Sequence, residues 1–352
     1  MRAKLIAVSA LVLLAPAYSA FADAVGSVNQ LVVFGDSLSD NGNASLASVG
    51  TLPGANYATR PIPGTPLSPS IFTDGASTTP PTAGPFGLWI DQFANKMGLP
   101  QAQPALAGGS DFAVGGADTG SNGLYFVSDQ VGAYLLTRGA SGASATALYT
   151  FWAGANDIAD AKNGAAAADN VFGNIQTLAA SGAKNFLWLN LPDLGNVPKV
   201  SGNPAAAAFA AAQSAAFDAE WSVDLAKLQA AGINVIGVDI ATLFNQLIAN
   251  PGAYGLTNVT SPAQGVSGIN PNNYLFWDQQ HPTTAADALV AQAAFTEFTA
   301  APEPASLALA AFGLAALLVA ANRAATAREY PMALRTAELH ESAALLDDTP
   351  EA

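Results

Sequence analysis

Between residues 23 and 300, short apolar runs alternate with longer Ala-rich stretches. Leu31 to Phe34, Ala147 to Trp152, Asn185 to Leu191 and Ile233 to Ile240 are β-branched or aromatic runs of strand length, each closed by Gly, Asn or Pro. Ala205 to Ala231 has helix-forming composition and stops at Gly232. Strands interleaved with helices predict an α/β domain whose parallel sheet is covered on both faces. In open sheets of this kind the working residues collect on loops beyond the carboxyl ends of the strands. Three predicted strands end in polar, glycine-bearing turns there: Gly35-Asp36-Ser37, Gly154-Ala155-Asn156-Asp157 and Pro192-Asp193-Leu194-Gly195. Residues Leu52 to Pro85 are rich in Pro, Gly, Ser and Thr and have no periodicity, the composition of a lid, a binding loop or a disordered segment.

The two ends break this pattern. Arg2 and Lys4 precede the apolar run Leu5 to Ala15, and Ala20-Phe21-Ala22 follows as a small-x-small cleavage site. Residues 1–22 are therefore expected to be a signal peptide, and the protein to be exported. At the other end Pro302-Glu303-Pro304 leads into an uninterrupted run of apolar or small residues, Ala305 to Ala321, followed by Arg323 and Arg328. That run is at the short limit of the roughly 17–25 residues a spanning helix needs, and the basic residues beyond it suit a cytoplasmic flank. Residues 301–328 resemble the PEP-CTERM sorting signal, the C-terminal tag of Gram-negative surface and secreted proteins. That resemblance implies an exosortase-type processing partner, with a plain membrane anchor through 305–321 as the rival. Unlike the usual tag, this chain continues past the arginines, into an acidic segment over 329–352 that is expected to be disordered.

Composition narrows the function of the central domain. The chain carries 12 Lys and Arg against 26 Asp and Glu, a net charge of -14, and shows no basic stripe, which argues against a nucleic-acid partner. Without cysteine there are no disulfides, thiolate ligands or Cys nucleophiles, and only one histidine, His281, falls in the domain, so no metal is expected. Neither Gly-x-Gly nor Gly-Lys-Ser/Thr occurs, which removes the dinucleotide fingerprint and the phosphate loop, and no cofactor is expected. The Gly-x-Ser-x-Gly elbow of ordinary α/β-hydrolases is missing too.

Ser37 directly follows the first predicted strand. A serine at a strand-to-helix turn can expose its hydroxyl while its own N–H, pointing from a helix start, helps bind a developing oxyanion. A hydroxyl is a weak nucleophile unless a base takes its proton, and that base needs a third group to orient it. His281 is the available base, and Asp278, three residues earlier in one tight loop, is close enough to hold the imidazole. A helix is expected to start at Thr284 with Asp287 completing a capping box. Further oxyanion donors are the Asn156 side chain and the Gly116 N–H. Each residue alone has an ordinary reading: a serine N-cap, a helix-capping histidine, an asparagine and a glycine pair in turns.

Together they resemble the SGNH or GDSL-type lipases and esterases. The match runs in order through Gly35-Asp36-Ser37-Leu38 with Asp40, Gly42 and Asn43, then Gly116, then Gly154-Ala155-Asn156-Asp157, then Asp278-Gln279-Gln280-His281-Pro282, with Asn190 to Pro198 similar to a further family segment. The resemblance implies a three-layer α/β/α sandwich of flavodoxin-like kind over residues 23–300. It also implies Ser37 as nucleophile, His281 as general base, Asp278 as its orienting group, and an oxyanion hole from Ser37, Gly116 and Asn156. The implied substrate is a carboxylic ester: a lipid, a short acyl ester or an acetylated glycan. A polysaccharide O-acetyl esterase and a non-catalytic glycan-binding matrix protein are the alternatives on the same fold. Two departures stand out. Asp111 occupies a place where the family often has Asn, and an insertion with Pro80, Pro81 and Pro85 separates Thr73-Asp74-Gly75 from Trp89.

Overall fold

The computed structural model describes residues 28–74 and 85–300. The expected signal peptide (1–22), sorting signal (301–328), membrane contact (305–321) and acidic tail (329–352), with Pro80 and Pro81, lie outside the described residues. Among the described residues no helix is long and apolar enough to cross a membrane.

The four apolar runs become one parallel sheet. Gln30–Gly35 (β1), Ala147–Trp152 (β2), Asn185–Leu189 (β3) and Asn234–Val238 (β4) lie in the order β1-β2-β3-β4. Leu31 sits opposite Leu148, Leu148 opposite Asn185, and Asn185 opposite Asn234. Every residue of β2 and β3 is buried, as strands covered on both faces require. The free edge of β1 is occupied by residues 110–114: Val33 N–H donates to Ser110 O at 3.0 Å, Phe112 N–H to Val33 O at 2.8 Å, and Val114 N–H to Gly35 O at 3.2 Å. Because 110–114 falls between β1 and β2 in the chain, the winding direction reverses at the β1–β2 boundary. The turns after β1 and β2 thus flank a topological switch point, the place where open α/β sheets bind ligands.

The helices are Asn43–Ala47 (α1), Trp89–Lys96 (α2), Val127–Arg138 (α3), Ala155–Ala159 (α4), Gly164–Ala180 (α5), Pro198–Ser201 (α6), Pro204–Ala230 (α7), Ile240–Ala249 (α8) and Thr284–Ala300 (α9). Helix α5 packs on both α3 and α7, while α9 packs on α2 and α8, forming the two outer layers of an α/β/α sandwich. The long helix α7 begins one residue before its expected start because Asn203 caps it, its side chain accepting from Ala205 N–H at 3.1 Å and Ala206 N–H at 3.3 Å, with Pro204 at the first helical position. The fourth strand stops at Val238, short of the expected Ile240. Asp239 turns the chain by capping α8, accepting from Thr242 N–H at 2.9 Å. A short parallel pair, Asn258–Pro262 (β5) and Tyr274–Phe276 (β6), leads into the histidine loop.

Candidate active site

At the end of β1, Gly35 runs so close to β2 that a Cβ would stand 2.4 Å from Trp152 O, so no side chain fits. The Gln130 amide brackets this glycine, accepting from Gly35 N–H at 3.0 Å and donating to Gly35 O at 2.8 Å. Ser37 then sits in a turn braced by the Asp36 carboxylate, which accepts from Leu38 N–H at 3.0 Å. Ser37 is not at a helix start as expected: α1 begins at Asn43. The reason is Asp40, whose buried carboxylate accepts from Gly42, Asn43 and Ala44 N–H at 2.8, 2.5 and 2.9 Å and so gathers the first turn of α1 further along the chain. Burial pushes Asp40 up to about 6, against the pull of these backbone donors. Burial likewise pushes Asp36 up to about 7; Leu38 N–H opposes this and the Asp157, Asp40 and Asp118 charges add to it.

Asp111, the departure from the family pattern, lies under the same turn. Its two oxygens accept from Asn41 N–H at 2.8 Å and Ala113 N–H at 2.9 Å, so the acid does structural work by accepting at both ends. Its burial, reinforced by the Asp40 charge, raises it well above the usual carboxylate range.

The histidine loop is closed by Trp277 N–H donating to His281 O at 2.8 Å. Within it Asp278 Oδ1 accepts from Gln280 and His281 N–H at 2.8 and 2.7 Å, and Oδ2 lies 2.6 Å from His281 Nδ1. His281 Nε2 lies 2.8 Å from Ser37 Oγ. Burial alone would raise the Asp278 carboxyl, but the hydrogen bond and charge of His281, with the Tyr57 hydroxyl and the His281 N–H, hold it well below the usual range. An ionised carboxylate only accepts, so Nδ1 carries the proton and Nε2 presents its lone pair to the serine hydroxyl. The expected capping box is displaced by one residue: Thr283 Oγ1 caps α9 by accepting from Ala286 N–H at 3.2 Å, while Thr284 N–H donates to Asp74 Oδ1 at 2.6 Å. Asp287 is buried instead of reaching back to the helix start, and burial raises its carboxyl well above the usual range.

Tyr57 is a site residue that sequence reasoning missed. Its hydroxyl donates to Asp278 Oδ2 at 2.7 Å, and burial together with this contact pushes it up to about 12. It belongs to the stretch expected as a lid, binding loop or disordered segment, whose described part, 52–74, is instead tied down. Residues 58–73 fold back on themselves through Ala58 N–H to Thr73 O and Ile71 N–H to Ala58 O, both 2.9 Å. The fully buried pair Arg60–Asp91, 3.0 Å apart, anchors the loop on α2, and Thr73 Oγ1 donates to Pro282 O at 3.2 Å. The Phe72 ring lies 5.0 Å from the imidazole, centre to centre. No local pattern announces these contacts, since Tyr57 and Asp278 are 221 residues apart.

The oxyanion candidates come together in part. Asn156 Nδ2 donates to Ala117 O at 3.0 Å, which ties the turn after β2 to the loop holding Gly116, and one amide hydrogen stays available. Gly116 has φ +83 and open space where a Cβ would be. Its neighbour Gly115 is fixed by donating to Asp40 Oδ2 at 2.8 Å. Neither Ser37 N–H nor Gly116 N–H bonds to another described residue. Ser37, Asn156 and His281 line one cavity of about 210 Å³, whose wall Gly116 does not reach.

A parallel α/β sandwich with a serine, a histidine and an aspartate in hydrogen-bonded series at the switch point has the layout of a serine hydrolase. The model of the GDSL-like lipase/acylhydrolase family matches residues 31–294, and the chain belongs to that family. It is 29% identical over 338 residues to esterase EstA of Pseudomonas aeruginosa, covering 80% of this chain and 49% of that protein. It is 26% identical over 291 residues to the thermolabile hemolysin of Vibrio parahaemolyticus, covering 75% and 62%. The chain thus spans about half the length of EstA. Among solved structures it is similar to Est24, a carbohydrate acetylesterase from Sinorhizobium meliloti, with 11% identity, a TM-score of 0.42, and coverage of 77% of this chain and 99% of that one.

Proposed function

We propose that this chain is an exported carboxylic ester hydrolase that works through an acyl-enzyme on Ser37. The observation that carries the reading is the series Ser37 Oγ, His281 Nε2, His281 Nδ1, Asp278 Oδ2, with gaps of 2.8 and 2.6 Å at its two hydrogen bonds. His281 Nε2 takes the serine proton as Oγ attacks the ester carbonyl, and Asp278 steadies the imidazolium that forms. The carbonyl oxygen gains charge that the Ser37 N–H, the Gly116 N–H and the Asn156 amide are suited to bind. Collapse expels the alcohol with the proton from His281. Water, deprotonated by the same histidine, then releases the acid and frees Ser37. Ser37→Ala and His281→Ala should each abolish turnover of a p-nitrophenyl ester while leaving the thermal melt in place; residual turnover near that of the unchanged protein in either variant would sink the reading.

The export half of the proposal rests on the basic, apolar and small-residue order of residues 1–22. The proposal of surface sorting by an exosortase-type enzyme, in a Gram-negative host, rests on Pro302-Glu303-Pro304, the run to Ala321 and Arg323. Mass spectrometry of the protein recovered from cells tests both: export predicts a mature chain starting at Asp23, and sorting predicts loss of the segment beyond Pro304.

A further inference from the structure

We infer that the cavity beside Ser37 is an acyl-chain pocket that selects medium-length aliphatic acyl esters over acetyl esters, with Ala206 and Ala210 of α7 setting its length. The inference rests on the ester-hydrolase reading above and names its substrate class.

The cavity holds about 210 Å³ of space, whereas a site for one water, about the size of an acetyl methyl, needs only about 10–15 Å³. Its floor is apolar and deeply buried: Trp152 and Phe276 are 1% exposed, Ile158 3% and Phe244 5%. Polar lining is confined to the reacting end (Asp36, Ser37, Asn156 and His281) and to Lys199 and Gln280, which bond each other at 3.0 Å. A sugar placed in the interior would lose its water contacts and find no hydroxyl partners, a costly exchange. An aliphatic chain loses nothing there.

The part of the ester that lies in the pocket is assigned from the chemistry. The acyl group stays bonded to Ser37 through the second half of the cycle, while the alcohol must leave before water enters. An apolar cleft that begins beside Ser37 suits the group that stays. One wall is made by Ala206 and Ala210, four apart and so on one face of α7. Side chains that end at Cβ leave the space open, and a larger one at either position fills it.

Each methylene that enters an apolar pocket is worth about 0.8 kcal/mol, a rise of about fourfold in kcat/KM. The test uses the full-length protein with two substrate series: p-nitrophenyl esters from acetate to decanoate, and alkyl acetates from methyl to octyl. The expected result is a steep climb in kcat/KM along the acyl series up to a break, and a flat alkyl series. Ala206→Phe, with Ala206→Leu as the milder replacement, should lower the octanoate-to-acetate ratio at least about tenfold and move the break to shorter chains. A profile that is flat or peaks at acetate overturns the inference and leaves the ester-hydrolase reading standing. A climb along the alkyl series in place of the acyl series overturns it as well, as does an unchanged ratio in a folded Ala206 variant. Absence of hydrolysis across both series instead sinks the ester-hydrolase reading itself.

Discussion

Ser37 and His281 meet across 2.8 Å, yet they are held in opposite ways. On the serine side local supports, Asp36 bracing Leu38 and Asp40 gathering three successive N–H groups, combine with distant ones: residues 110–114 along β1, Asp111 on Asn41 N–H, and Gln130 around Gly35. On the histidine side Asp278 holds the imidazole locally, but Asp278 in turn accepts from Tyr57, whose loop is pinned by Arg60 to Asp91 and by Thr73 to Pro282. The imidazole therefore depends on a segment more than 200 residues away. The comparison teaches that Ser37 is held mainly through backbone N–H groups and strand pairing, whereas His281 is held through a series of side chains, Asp278 and then Tyr57, that ends in a distant loop.

The largest predicted effect lies where the two sides join. Asp278→Asn should lower kcat by about 10³–10⁴-fold with the fold intact, because the amide can donate to Nδ1 and so turn the histidine to the tautomer that cannot accept from Ser37. Steady-state kinetics beside circular dichroism check this; a loss below tenfold would mean that the loop, and not the carboxylate, sets the imidazole. Next comes the anchor of the distal loop. Arg60→Met leaves the Asp91 carboxyl buried without its cation and should cost about 3–5 kcal/mol of stability in denaturant melts. The double variant Arg60→Met/Asp91→Leu should regain most of that loss. If the double variant is no better than the single one, packing around Arg60 and not its charge holds the loop.

Tyr57→Phe tests whether the loop reaches the chemistry. It keeps the ring and its packing against Phe72 and Trp277 and removes one hydrogen bond to a charged acceptor, worth about 1.5–3 kcal/mol. The expected outcome is a fall of about tenfold in kcat with KM nearly unchanged, beside a loss of about 2–4 °C in melting temperature for each kcal/mol of that bond. A fall in stability with kcat intact would make Tyr57 a packing residue and return the base to local control.

The same contrast explains what could be read from the chain. The four strands of the sheet and the long helix α7 were legible because each is announced by its neighbours, an apolar run or a helix stop, whereas Ser37, Asp278 and His281, each ordinary alone, stood out through the order of their separated blocks along the chain. The strand-like pairing of 110–114 was not, since Gly109-Ser110-Asp111 and Gly115-Gly116 leave only Phe112 to Val114 as an apolar stretch, too short to announce a strand. Tyr57 and Arg60 were hidden in a loop of turn-forming composition, where partners are chosen by the finished fold. The start of α1 and the cap of α9 were each misplaced for a related reason. At α1 the Asp40 carboxylate is also held by Gly115 N–H, and at α9 Thr284 is drawn to Asp74 so that Thr283 caps instead; Gly115 and Asp74 both come from elsewhere in the chain.

The two sides should also answer to pH with opposite signs. Asp278 is held below its ordinary value, so its contribution to stability is present above the unfolded carboxylate value near 4 and is lost as pH falls through the folded one. Asp36, pushed up to about 7 by burial, keeps its proton in the folded protein between about pH 4 and 7, where the unfolded chain has released it. The folded state then binds more protons than the unfolded state, so stability falls as pH rises across that window and is level above it. Asp36→Asn keeps an oxygen for Leu38 N–H and cannot ionise. Its melting temperature should therefore gain on that of the unchanged protein by about 2–4 °C for each kcal/mol recovered as pH goes from 4 to 7, with no further gain above 7. A constant difference from pH 4 to pH 8 would mean that Asp36 ionises at an ordinary value. The serine turn would then hold a buried charge with Leu38 N–H as its one donor among the described residues.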